Sequence, residues 1–121
     1  MKIILPYIDF DLNSIVALAK KSPYAYRNKK KKIQDSILWR LKGINGKVLG
    51  TNFYRFTWYL PNRRKDPDNI AAGQKIIFDA FQEAGIIEND SRKHVSGFSH
   101  SFELDRKNPR VEIEIFEKIT T

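Results

Sequence analysis

Phe53-Tyr54-Arg55-Phe56-Thr57-Trp58-Tyr59-Leu60 runs directly into Pro61-Asn62-Arg63-Arg64-Lys65-Asp66-Pro67-Asp68-Asn69. In the first eight residues Tyr54, Phe56, Trp58 and Leu60 alternate with Phe53, Arg55, Thr57 and Tyr59. Period-two alternation of this quality predicts a strand with one face on a core. Trp58 then reads as a core residue; stacking on a base is the alternative use of an indole. Pro61-Asn62 ends the strand. Asp66 suits an N-cap and Pro67 the first helical position, so a helix is expected to start there. The stretch therefore reads as strand, basic turn, helix.

Outward from it, that helix is expected over residues 67–84, with Gly85 as its stop. At 100° per residue Ile70, Gly73, Ile77, Phe81 and Ala84 share a face widened by Phe78 and Ala80, while Asp68, Lys75, Asp79 and Glu83 lie opposite. Lys75 and Asp79 are spaced to pair. Ile76, on the polar side, marks a contact with another element or subunit. Upstream, residues 1–7 read as a strand ended by Pro6. Asp9 to Asn13 form a polar turn, and Asn13 or Asp11 caps a helix over 14–21 that Ser22-Pro23 stops. A second helix is expected over 26–42, with Ile33, Ile37, Leu41 and Ile44 as its buried stripe and Gly43 and Gly46 at its end. Downstream, residues 93–104 alternate loosely. Phe98, Phe102 and Leu104 share a face, and Gly97 marks a bulge. Residues 105–109 form a turn. Residues 110–117 form a last strand with Val111, Ile113 and Ile115 inward and Glu112 and Glu114 outward. The last two strands read as an antiparallel hairpin. His94 and His100 have no second ligand at metal spacing and read as ordinary polar positions. These elements predict one domain over residues 1–121 of α/β (α+β) class: a small mixed sheet of about four strands with packed helices.

The chain has 121 residues and a formal net charge of +8, unevenly placed. Residues 1–65 carry 15 Lys and Arg against 3 Asp and Glu, a balance of +12; residues 66–121 carry 7 against 11, a balance of −4. A basic half attracts a polyanion, and the acids of the other half suit metal binding, so nucleic acid is the expected partner. The bland alternative is a basic protein that merely stays soluble. With no cysteine, disulfides and zinc-thiolate sites are excluded and a reducing compartment fits. No apolar run has transmembrane length, and the first residues are too short for a signal core. The expectation is a soluble, cytoplasmic protein with no membrane partner.

Asp66 and Asp68 stand beside three consecutive cations, at the expected positive end of a helix dipole. Asp90 follows once that helix has ended, in Glu88-Asn89-Asp90-Ser91. Grouped oxygen ligands beside cations suit a hard divalent ion and a phosphodiester. A cap with a solvated neighbour is the competing reading of the pair. Lys29, Lys30, Lys31 and Lys32 fill one turn of the second helix, where they repel one another unless a phosphate backbone lies near; a solvated face is the alternative.

From Asp66-Pro67-Asp68-Asn69 onward the sequence resembles the RusA family of Holliday junction resolvases, common in phages and prophages. That family has Arg/Lys-rich residues, then Asp-x-Asp-Asn opening a helix. A segment like Phe78-Asp79-Ala80-Phe81 follows, then a glycine like Gly85 and an acidic turn like Asn89-Asp90-Ser91. Leu12-Asn13, the stretch from Tyr26 to Lys30-Lys31, and Asp105-Arg106-Lys107-Asn108-Pro109-Arg110-Val111 look like its phage-borne branch. The resemblance implies a homodimeric, Mg²⁺-dependent (Mn²⁺ also suits) endonuclease that cuts four-way DNA junctions in recombination and repair. It implies Asp66, Asp68 and Asp90 as catalytic, metal-binding acids. The family's catalytic lysine would fall at Ala72, a departure; Lys75, one turn further along the same face, is the residue expected to substitute. Arg63, Arg64, Lys65 and Lys29 to Lys32 are expected on flanking phosphates, which position DNA without reading sequence. Two alternatives stay open: a DNA-binding recombination accessory protein whose acids are caps, and a metal-dependent nuclease on another nucleic acid or on nucleotides.

One distance bears on assembly. A helix from Asp68 to Ala84 advances about 24 Å, and the chain from Ala84 to Asp90 returns at most about 20 Å. Asp90 therefore reaches the acidic pair of its own chain only if the helix ends early or residues 86–89 run straight back. Otherwise it comes from a neighbouring subunit, with Ile76, Ile86 and Ile87 as interface candidates.

Overall fold

The computed structural model describes residues 1–7, 12–44 and 47–117. The expected turn residue Asp9, the cap candidate Asp11 and the helix stop at Gly46 lie outside the described residues.

Aromatic alternation puts β2 (Asn52–Leu60) inside the sheet, with Tyr54, Phe56 and Trp58 wholly buried on one face. On one side of it runs β4 (Arg110–Glu117), antiparallel, with Val111, Ile113 and Ile115 beside Trp58, Phe56 and Tyr54. Beyond β4 lies β1 (Lys2–Pro6), also antiparallel to it, adding Ile3 and Leu5 to the same face. On the other side of β2 runs β3 (Val95–Leu104), in parallel. The order is β1-β4-β2-β3, a mixed four-stranded sheet as expected.

The hairpin expectation is overturned. β3 and β4 are not neighbours, because β2 lies between them. The five residues after Leu104 arch over the end of β2, and Asp105 N–H donates to Leu60 O (2.8 Å). Periodicity assigns strands but not partners; the aromatic β2 takes the centre because it has the most apolar area to bury. The bulge at Gly97 is present: pairing shifts between Asn52↔Val95 and Phe53↔Gly97, and a Cβ on Gly97 would come 3.2 Å from the Phe53 ring. Phe98, Phe102 and Leu104 share the helix-side face, yet Phe98 and Leu104 stay exposed on this edge strand.

On that face lie α1 (Leu12–Lys21), α2 (Pro23–Leu41), α3 (Pro67–Ala71) and α4 (Gln74–Glu83). Asn13 sits inside α1 rather than capping it. Ser22 ends α1 and starts α2: its N–H donates to Leu18 O, and its side chain accepts from Ala25 N–H at 3.1 Å. Hence α2 begins three residues earlier than expected, with Pro23 at its first position. Ile37 and Leu41 are buried in α2, and Ile33 and Ile44 pack partly against the core.

The single helix expected over 67–84 is two. The backbone tightens at Ala72-Gly73, where Gly73 N–H donates to Ile70 O at 3.1 Å, three residues back instead of four. Gly73 lies against Trp58; a Cβ there would stand 3.0 Å from the indole Cη2. Gly85 ends α4 at φ +76°, as its type suggests. Ile76, Ile86 and Ile87 are buried within this chain, at 3%, 2% and 2% exposure. They are core residues and offer no surface to a second subunit. Ala84, placed on the buried face by the pattern, is exposed once α4 has ended.

The opposite face carries no helix among the described residues. Glu112, expected to point outward, does so yet is only 7% exposed. Lys2 and Arg110 hold its carboxylate, with Arg110 Nε at 2.7 Å. Arg110 also bonds Asp105 at 2.8 Å and lies 3.8 Å above the Tyr59 ring, which fixes the arch between β3 and β4. No helix among the described residues is long and apolar enough to cross a membrane.

Candidate functional site

The turn after β2 is set by Asn62, whose Oδ1 accepts from Arg64 N–H at 3.0 Å. This Asx turn leaves the Arg63 and Arg64 side chains exposed, whereas Lys65 is half-buried. Asp66 takes the N-cap position with an extended backbone, and its carbonyl accepts from Asn69 and Ile70. Its carboxylate makes no capping bond. Asp68, in the first turn of α3, is exposed as well. Among the described residues neither carboxylate has a hydrogen-bond or ion-pair partner. The cap expectation is thus right for the position and wrong for the side chain, and both acids keep their oxygens for a ligand.

Asp90 is delivered by the loop between α4 and β3. Ile86 and Ile87 pin its start in the core, and Ile86 O accepts from Val48 N–H at 2.7 Å. Asn89 Oδ1 then accepts from Ser91 N–H, which closes a turn around Asp90, and Ser91 O accepts from His94 and Val95 N–H in a second turn just after it. Asp90 Oδ2 lies 2.7 Å from Lys75 Nζ, within the same chain. The same ammonium is 3.2 Å from Asp79 Oδ1, and Lys30 of α2 reaches Asp79 Oδ2 at 3.5 Å. The Asp90 hydrogen bond, followed by Asp79, raises the Lys75 pKa above its ordinary value, so the group is a fixed cation at neutral pH.

Lys30 therefore joins the basic helix to the middle of α4, at Asp79. Lys29, Lys31 and Lys32 are exposed and have no ion pair among the described residues. Lys29 and Lys32, with Pro6, Tyr7, Ile33, Ser36 and Ile37, line a cleft of about 290 Å³ between α2 and the end of β1.

The structure thus brings Lys75 and Asp90 together and adds Asp79 and Lys30. It does not gather the three expected acids: the described residues hold no group of three or more His, Asp and Glu side chains able to hold a metal ion. Asp66 and Asp68 fit ligand duty as they stand, by donor chemistry and exposure. Asp90 is taken up by Lys75. Two residues escaped sequence reasoning. Asp79 was legible only as an i,i+4 partner of Lys75. His100, expected as an ordinary polar position, accepts from Trp58 Nε1–H at 2.9 Å and lies 2.6 Å from Gln74 Oε1. Its place within the alternation of β3, in register with Phe56, was the available signal.

No family model matches the chain, and no curated protein matches it.

Proposed function

We propose that the protein is a metal-dependent endonuclease acting on four-way DNA junctions as a homodimer. The observation that carries this reading is the pair of exposed carboxylates of Asp66 and Asp68, without a partner among the described residues, which open α3 directly after Arg63, Arg64 and Lys65. The ordered resemblance around Asp66-Pro67-Asp68-Asn69 names the substrate. Asp66 and Asp68 would hold Mg²⁺ or Mn²⁺, with Asp90 as the third acid. The ion, when bound, supplies an activated water and stabilises charge on the phosphoryl oxygens. Lys75 presents a permanent positive charge beside Asp90 and orients the scissile phosphate or the attacking water. The cations of α2 and of the turn after β2 bind flanking phosphates. Two-fold symmetry gives two matched sites for paired strands. A labelled synthetic junction, incubated with Mg²⁺ and with wild-type or Asp68→Asn protein, tests the reading: wild type cuts and the variant does not.

A second reading, a DNA-binding protein without catalysis, draws support from Asp90, whose carboxylate is neutralised by Lys75 instead of facing an open site. It predicts junction binding that no divalent ion converts to cleavage. Cleavage of RNA or nucleotides in preference to junctions would support the remaining alternative.

A further inference from the structure

Three side chains join the start of α4 to the sheet. Trp58 Nε1–H donates to His100 Nδ1 at 2.9 Å, and His100 Nε2 lies 2.6 Å from Gln74 Oε1. An indole N–H only donates, so Nδ1 presents its lone pair. The proton of the neutral ring then sits on Nε2 and is donated to the Gln74 carbonyl oxygen. The two partners fix the tautomer between them. The ring is also held by stacking on Phe56 (4.9 Å, 19°) and Phe102 (6.5 Å, 16°), with Phe98 edge-on at 5.7 Å. Its neighbours from β2, β3 and α4 are Phe56, Trp58, Phe98, Phe102 and Gln74, none of them charged.

Gln74 is the first residue of α4, and Lys75 is the next. Gly73, just before, rests on the same Trp58. Two consecutive residues are thus restrained by one indole, directly and through His100. The Lys75–Asp79 pair lies within a single helix and survives any reorientation of it. The Lys75–Asp90 bond joins the helix to a separate loop and does not. That bond reports how the first turn of α4 is oriented.

We propose that Trp58, His100 and Gln74 form a positioning array that orients the first turn of α4 and so delivers Lys75 to Asp90. His100 and Gln74 are positioning residues that touch no substrate. The consequence for cleavage rests on the nuclease reading above; the orientation itself does not.

The experiment compares Gln74→Leu, which removes the acceptor at similar size, with Gln74→Glu, which keeps one. The ¹⁵N signal of the Lys75 ammonium is recorded in each, with and without Asp90→Asn. In wild type and Gln74→Glu, Asp90→Asn shifts that signal; in Gln74→Leu it does not, because the ion pair is already broken. Single-turnover junction cleavage at saturating protein falls at least tenfold in Gln74→Leu with unchanged junction binding, and Gln74→Glu restores it. His100→Asn, which still accepts from Trp58 but is too short for Gln74, behaves as Gln74→Leu. A Lys75 signal that still responds to Asp90 in Gln74→Leu overturns the proposal, as does loss of folding in both uncoupled variants. If the Lys75 signal uncouples as stated while wild type cuts no junction, positioning stands and the nuclease reading falls.

Discussion

Lys75 Nζ and Asp90 Oδ2 are 2.7 Å apart although 15 residues separate them in the chain. The bond is made within one subunit. It exists because the helix that begins at Pro67 stops at Ala71, restarts at Gln74, and is followed by a loop whose two isoleucines are buried. The length argument that left a neighbouring subunit as one source of Asp90 assumed one straight helix, which the chain does not form.

With Asp90 held by Lys75 of its own chain, the proposed site would take Asp66, Asp68 and Asp90 from one subunit. Asp68→Asn and Asp90→Asn proteins, mixed under conditions where subunits exchange, remain inactive on junctions. In the proposed dimer, each mixed pair would have one acid missing from each site. Nicking restored by mixing would place Asp90 in the partner's site.

Lys75→Ala is expected to lower single-turnover cleavage by at least tenfold while changing junction affinity by less than about threefold, a split that marks an interaction made in the transition state. Equal rates for the two proteins would leave Lys75 as the ion-pair partner of Asp79 and Asp90 and nothing more.

Replacing Lys29, Lys31 and Lys32 with Ala is expected to weaken DNA binding and flatten its dependence on log salt, by up to about 0.9 for each phosphate no longer neutralised. Lys30 is left in place because Asp79 engages it. An unchanged slope in a salt titration would make these lysines a solvated face.

Gly73→Ala tests the packing under the helix break. The new Cβ would meet the indole at 3.0 Å and the Ile70 carbonyl at 3.4 Å. Trp58 is wholly buried, stacked on Phe56 and bonded to His100, so it has nowhere to retreat. Overpacking of this kind costs about 1–3 kcal/mol, less the roughly 0.4–1 kcal/mol that alanine gains over glycine in the unfolded chain at a compatible φ. Urea denaturation should show net destabilisation, whereas Gly43→Ala, with nothing within 4 Å, should not.

Burial lowers the His100 pKa below its ordinary value. The folded protein then binds fewer protons at this site than the unfolded chain, so stability is full above about pH 6.5 and declines as pH falls through the lower, folded value. Protonation would also set two N–H donors against each other at Nδ1. The urea midpoint of wild type should drop between pH 7.5 and 5.5, and His100→Gln should remove most of that drop. Parallel pH profiles for the two proteins would show that His100 does not titrate in this window.

Much of the fold was legible because it is written in periodicity. The alternation at Tyr54, Phe56 and Trp58 and at Val111, Ile113 and Ile115 marks faces that are buried in fact. Pairing was not legible, since alternation is the same whichever strand lies alongside, and the parallel β2–β3 pair was missed for that reason. The helix break was hidden because Gly73 continues the apolar stripe, and its close approach to Trp58 is a tertiary contact that periodicity does not show. Of the site, residue types and the Asp66-Pro67-Asp68 start were plain. The ion pairs of Asp90, Asp79 and Lys30 depend on tertiary return of the chain, as does the bond of His100 to Gln74.

In the proposed reading Asp66 and Asp68 bind a divalent ion that promotes cleavage of branched DNA. The most direct measurement is cleavage of an end-labelled four-way junction, with duplex of the same arms as control, by wild-type and Asp68→Asn protein in Mg²⁺ and in EDTA. Symmetric junction nicks by wild type in Mg²⁺ alone, with binding but no nicks from Asp68→Asn, are the predicted result. Equal cutting by both proteins, or binding by both with no cutting in any metal, would contradict it.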